Sequence, residues 1–268
     1  MAIFEYNYMI RALLVGLALG IIIPMMGMVI VNRNLSSLGD ALSHVSLAGV
    51  MFGAVAGINP VLGAVLASVL AGLSIEFIRR RFPSHGEVAT AIIMSTGVGL
   101  ASLLSGFIKG ATNFESFLFG SIVAISDFEF YMILAVSALV FLLMGKFYHY
   151  LMVLSFDPIS AAISGIPVGA LSGLFIVLTA LTVAISGRTV GVLIISSLLV
   201  LPVASALQLK LNYKRTTLVA VVFGILFTQL GLILSFYLGL KPGGTIVLLG
   251  VATLLLLFAY TALRNRKP

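Results

Sequence analysis

Nine apolar runs, at 8–31, 41–57, 60–78, 88–108, 129–148, 168–186, 190–209, 216–238 and 245–263, take up most of the 268 residues. A helix needs about 20 apolar residues to cross the hydrocarbon core of a bilayer. The runs have that length, and charge, Pro or Gly bounds each of them. The breaks fall at NRN (32–34), Asn59-Pro60, RRRFPSHGE (79–87), the stretch 109–129, FDP (156–158), Arg188, KLNYKR (210–215) and KPGG (241–244). The chain is 61% hydrophobic and 9% charged, against roughly 45–50% and about 25% in soluble domains. That balance excludes a soluble globular domain, a disordered chain and a coiled coil. The loops are too short for a water-soluble domain, so residues 1–268 read as one all-α, polytopic integral membrane domain of about nine helices. The run 41–57 is short for a full span, so its helix is expected to start inside the membrane.

Charge sets the orientation. With the N-terminus outside, eleven basic residues lie in the cytoplasm: Arg33, Arg79, Arg80, Arg81, Lys146, Lys210, Lys214, Arg215, Arg264, Arg266 and Lys267. Four lie outside: Arg11, Lys109, Arg188 and Lys241. The positive-inside rule selects this arrangement, with a retained first helix and a cytoplasmic C-terminus. The net charge of +7 is scattered between apolar runs, which fits membrane topology rather than nucleic-acid binding. Lipid is the expected surrounding. The absence of Cys excludes disulfides and thiolate metal sites.

Ionisable residues inside a membrane are costly and mark functional sites. Most acids here fall in loops, and Glu76 falls at a helix end, where water is expected within reach. Asp40 differs. It opens the second run in SSLGDALSH, and His44 follows four residues later. On a helix these two share a face, about 6 Å apart along the axis. A carboxylate and a neutral imidazole together suit a borderline divalent cation. The competing reading makes Asp40 an N-cap and His44 a donor to a nearby carbonyl. Two ligands do not enclose a metal, since most sites take four or more, so the metal reading includes a twofold dimer that doubles the set.

Gly49, Gly53 and Gly57 form one ladder, Gly16 and Gly20 a second, and Gly165, Gly169 and Gly173 a third. Such ladders let helix backbones approach closely, and intramolecular packing is the expected use. Pro24 and Pro202 sit inside runs and are expected to kink them. Ser196, Ser197, Ser205 and Gln208 around the second proline would line a polar path or satisfy freed backbone groups. There is no GxxxxGK[ST] and no HExxH, and Asp40 has no second intramembrane Asp for a paired-aspartate protease.

The segment 151–168, LMVLSFDPISAAISGIPV, is too interrupted to cross. Ile159, Ala162, Ile163 and Ile166 fall at helical spacing. Asp157 before Pro158 suits a helix start, and Gly165 suits its end. One short capped helix over 155–167 is expected, either resting on the membrane or docking a cytoplasmic partner. The small residues Ala161 and Ala162 would face that partner.

SLGDALSHVSLAGV (37–50) resembles the signature of the ABC-type zinc/manganese/iron permeases. FLFGSI (117–122), SFDPISAAISGIPV (155–168), VGVLIISSLLVLPVASALQL (190–209) and KPGGTIVLL (241–249) resemble further segments of that family in matching order and spacing. The resemblance covers nearly the whole chain. It implies a fold similar to type II ABC importer permeases, like the siderophore and cobalamin permeases without their first helix. It also implies a permease homodimer in a prokaryotic plasma membrane, two cytoplasmic ATP-binding subunits and an extracytoplasmic metal-binding protein. Asp40 and His44 match the family's metal positions, and Asp157, Pro158, Ala161, Ala162 and Gly165 fall in its coupling segment. The implied cargo is zinc, manganese or iron, and no resident cofactor is expected. The chain itself would not be an enzyme. An ATP-independent secondary transporter or channel and an intramembrane acid–base enzyme are the competing classes.

Overall fold

The computed structural model describes residues 5–82, 86–107, 120 and 125–264. Eleven helices occupy them. They are α1 (Asn7–Asn32), α2 (Leu38–Ala56), α3 (Pro60–Arg81), α4 (Gly86–Ser105), α5 (Asp127–Lys146), α6 (Tyr148–Phe156), α7 (Pro158–Ile163), α8 (Val168–Val190), α9 (Val192–Leu207), α10 (Tyr213–Leu238) and α11 (Pro242–Arg264). Eight of these, α1 to α5, α8, α10 and α11, are long and apolar enough to cross a membrane. Each of the nine apolar runs carries one principal helix, and the helix of the seventh run, α9, is too short to count among the eight.

Local chemistry fixes the ends. Asn59 accepts from the Val61 N–H with Pro60 in the first turn, and Asn212 caps α10 through the Arg215 N–H. Ser126 and Glu129 form a reciprocal capping box on α5. Gly57 (φ 70°) and Gly239 (φ 64°) end α2 and α10 in the left-handed conformation.

The glycine ladders sort as packing devices, with two exceptions. A Cβ on Gly49 would lie 2.4 Å from the Gly63 carbonyl oxygen, and one on Gly63 would lie 2.3 Å from that of Gly49. Helices α2 and α3 therefore touch backbone to backbone. Gly20 and Gly224 bring α1 and α10 together in the same way. Gly57 is a cap with open space around it. The third ladder is not a seam: Gly165 and Gly173 meet nothing within 4 Å, and Gly169 lies under the Arg80 guanidinium. Helix α1 runs through the centre with most of its residues buried, while α4, α5 and α11 are mostly exposed apolar surface, as lipid-facing helices are.

Two boundaries differ from expectation. Helix α8 does not stop at Arg188; it continues to Val190, and the chain turns at Gly191 (φ 100°, ψ 133°) into α9. At 16 residues, α9 is about 24 Å long, short of the roughly 30 Å apolar core. Its start is buried beside the second turn of α2, where the Ser43 hydroxyl donates to the Val192 carbonyl at 2.9 Å. Thr189 and Val190 share a small apolar cavity with Ala12, Val15 and Gly16 of α1. The α8–α9 joint is thus inside the protein. In the segment FLFGSI only Gly120 is described; a Cβ there would meet Val190 and Gly191 backbone at 2.4–2.8 Å, so Gly120 packs on the joint. The second difference is in 151–168, which holds two helices rather than one. Residues 151–156 complete α6, and Asp157 separates it from α7.

Candidate functional site

Asp40 is the third residue of α2 and His44 follows one turn later; both are half-buried. The N-cap of α2 is Ser37, whose hydroxyl lies 2.9 Å from the Thr90 hydroxyl. Asp40 is therefore not the cap. Among the described residues neither Asp40 nor His44 makes a side-chain hydrogen bond or ion pair, so the competing reading for His44 finds no carbonyl either. Three helices frame the pair. A Cβ on Gly97 of α4 would press on the Val45 N–H and the His44 carbonyl carbon at 2.8 and 3.0 Å. Gly39 packs on Ser196 and Leu199 of α9, and Ser43 holds the α9 start. Helix α3 backs the far side through Gly49. Among the described residues no third His, Cys, Asp or Glu joins the pair. The donor set is thus one carboxylate and one imidazole, with a helix start and serine-bearing turns of α9 beside it. Of the proposed polar path, Ser205 is fully buried and its hydroxyl has no partner among the described residues.

The segment 157–165 is built as its residues require. The Asp157 carboxylate accepts from the Ile159 and Ser160 N–H groups at 3.1 and 2.9 Å and from the Ser160 hydroxyl. The Ser160 hydroxyl and N–H, with the Ile159 N–H, hold that carboxyl below the ordinary carboxylate range. Pro158 is the first residue of α7, and Gly165 (φ 77°) ends the turn after it. Ile159 and Ile163 are 74% and 83% exposed, and Ala162 is exposed beside them. Ala161 is the correction: it is 0% exposed and faces the protein body, so only Ala162 of that pair offers a surface.

A second polar cluster lies where α1, α3 and α8 meet, and sequence spacing did not reveal it. Glu76 was expected at the water's edge, yet it is only 6% exposed. Its Oε2 accepts from Arg79 Nη2 and Nε at 2.9 and 3.2 Å and from the Ser172 hydroxyl at 3.0 Å; its Oε1 accepts from Arg80 Nε at 3.3 Å. Ser172 in turn accepts from Arg33 Nη2 and Arg79 Nη2, each at 2.9 Å. Arg80 Nη2 donates to the Gly169 carbonyl at 2.9 Å. Burial, then the nearby Arg79, lowers the Arg33 guanidinium from its ordinary value to about 10, against the pull of Glu76. The EFIRR spacing announces the pairs of Glu76 with Arg79 and Arg80, but nothing local announces Ser172, 96 residues away.

An all-helical body with eight helices of spanning length, a short helix buried at one end and an exposed capped helix between spans define a polytopic membrane protein. The chain belongs to the ABC 3 transport family, whose model matches residues 5–261. It is 36% identical over 259 residues to a "Probable metal transport system membrane protein" of Treponema pallidum (strain Nichols), covering 96% of this chain and 97% of that one. It is 30% identical over 256 residues to the manganese transport system membrane protein MntC of Listeria innocua, covering 96% and 91%. Among solved structures, a chain of PsaBC from Streptococcus pneumoniae in complex with Fab superposes with a TM-score of 0.83 at 28% identity, covering 96% of this chain and 92% of that one. The protein is a multi-pass membrane component of an ABC transporter.

Proposed function

We propose that the chain is the permease of an ATP-driven importer of divalent transition-metal ions, with manganese its first cargo. The observation that carries this reading is the Asp40–His44 pair. A carboxylate and an imidazole lie half-buried one turn apart, with no side-chain partner among the described residues, on a helix held by α3, α4 and α9. Buried polar groups ordinarily find partners, and an unpartnered pair of metal-ligating types inside a membrane protein calls for an external one. Relatives named for manganese transport support the choice of metal. Two ligands per chain favour a homodimer in which a second copy completes the coordination. A transit site of this kind binds weakly enough to release.

The face where α1 ends, with Arg33 and Arg79 to Arg81, is the cytoplasmic one under the positive-inside rule. Helix α7 lies on that face and presents Ile159, Ala162 and Ile163 to a pair of ATP-binding subunits. A metal-binding protein delivers cargo on the opposite face. The test is uptake of Mn2+, Zn2+ and Fe2+ into liposomes containing the permease and its ATP-binding subunits. Asp40→Asn and His44→Ala are each expected to abolish uptake with assembly intact. Normal uptake in both variants, or uptake without any ATP-binding subunit, would overturn the reading.

A further inference from the structure

Helix α8 begins after a four-residue link from α7. The Ile166 N–H donates to the Ala161 carbonyl at 3.1 Å, which folds that link back on α7. A force on α7 therefore arrives at the first turns of α8, where Gly169 holds Arg80 and Ser172 holds Arg33 and Glu76. Arg33 is the C-cap of α1, and residues 33–37 lead directly into α2 with Asp40 as its third residue. That lead is stiff. The Leu35 N–H bonds the Ile30 carbonyl and the Leu38 N–H bonds the Leu35 carbonyl, each at 2.9 Å, and Ser37 is tied to Thr90 of α4.

The cluster sets three guanidiniums against one carboxylate. The Ser172 hydroxyl has one donor and two acceptor sites, and all three are used. Arg33 Nη1 is buried and has no partner among the described residues. An unpaired buried donor is costly, so the arrangement seen leaves Arg33 short of one bond that a different arrangement can supply. Glu76 shares the Ser172 hydroxyl with Arg33 and is the opposite charge beside it, while the neighbouring Arg79 repels it. A merely structural brace would have no use for the unpaired donor; a part that changes partners has one.

Resting on the importer reading above, we propose that Glu76, Ser172 and Arg33 are positioning residues that couple the docking helix α7 to the Asp40–His44 pair. As α8 shifts, the unpaired Arg33 Nη1 takes a bond to Glu76, whose Oε1 accepts only from Arg80 in the arrangement seen, and the stiff 33–37 link carries that step to the start of α2. A two-arrangement contact that both ends bias is what energetic coupling requires.

The test uses the permease assembled with its ATP-binding subunits in liposomes, with Mn2+ as the probe and both ATP hydrolysis and Mn2+ import measured. Ser172→Ala and Glu76→Gln are expected to lower Mn2+ imported per ATP by about tenfold while hydrolysis continues. Ser172→Thr keeps the hydroxyl and is expected to restore the ratio. Ser172→Ala removes a single hydroxyl, so it keeps the test open if Glu76→Gln, which leaves its arginines without their carboxylate, fails to fold. An unchanged ratio in Ser172→Ala overturns the relay. So does a parallel fall of import and hydrolysis with the ratio fixed, which is the signature of damaged structure. A parent complex that imports no Mn2+, or Asp40→Asn importing normally, overturns the importer reading itself and the relay with it.

Discussion

Replacing Gly49 by Ala tests how tightly the helix bearing the Asp40–His44 pair is held. The new Cβ would lie 2.4 Å from the Gly63 carbonyl oxygen, 2.7 Å from the Ala67 Cβ and 2.9 Å from the Ala64 Cα. These neighbours are backbone atoms or an alanine methyl, so no rotamer change relieves them. Real Cβ atoms essentially never approach closer than 3.0 Å. The two helices must therefore separate by at least about 0.6 Å, and by about 1 Å for ordinary contact. Overpacking of that kind costs about 1–3 kcal/mol. Because α2 moves as a rod, the displacement also reaches His44, five residues back on the same helix, and shifts it against Gly97. The expected result is a lowered thermal midpoint of the purified protein in detergent together with reduced Mn2+ uptake at equal membrane abundance. Gly63→Ala should do the same, and the double variant should cost less than the sum, since one separation relieves both contacts. Gly99→Ala on α4 is the control. A Cβ there meets nothing within 4 Å, and exchanging a mid-helix Gly for Ala stabilises by up to about 1 kcal/mol. Equal midpoints for Gly49→Ala and the parent, or equal damage from Gly99→Ala, would refute the reasoning.

The remaining predictions concern the cytoplasmic face. Ile163→Glu, at an 83% exposed position, is expected to abolish recovery of a cognate ATP-binding subunit while leaving the permease folded; Ala161→Glu, at a 0% exposed position, is expected to lower the yield of folded permease itself. Co-purification against the amount of permease in the membrane separates the two, and full ATPase recovery with Ile163→Glu would remove α7 as the docking element. A reporter fused after Pro268 is expected to be active only in the cytoplasm, since an outside N-terminus puts eleven basic residues on the inner side against four on the other; activity outside would invert the topology and with it the placement of α7.

The all-helical class and the place of each apolar run could be read from the sequence because an apolar run of spanning length has few alternatives to a helix in lipid, although only eight of the nine runs carry helices of spanning length. The α8–α9 boundary was misplaced because Arg188 looked like a loop signal, whereas the turn is made by Gly191, one of 27 glycines in the chain. The Asp40–His44 pair is marked as a candidate by its spacing. What frames it is not, since Gly97 and Val192 reach α2 from distant parts of the sequence. Glu76 was misjudged for the same reason: its position at a helix end is local, but its burial depends on Ser172 and the folding of α8 over α3. Likewise Ala161 and Ala162 are alike in sequence, and only the packing of α7 decides which one faces inward.

The buried α8–α9 joint also has a consequence for how the chain is assembled. A helix of about 24 Å ending in an open turn is a poor candidate for release into lipid by itself, because the backbone groups at the turn have no partner there. Their cover comes from Ser43 on α2 and from the close approach of Gly120. Both lie upstream, so they leave the ribosome first. The early helices therefore form the receiving site before the seventh hydrophobic run is made. A chain whose α2 or 120 region is damaged would hold that run at the insertion machinery, and would be degraded as a biogenesis intermediate rather than persist as an inactive transporter.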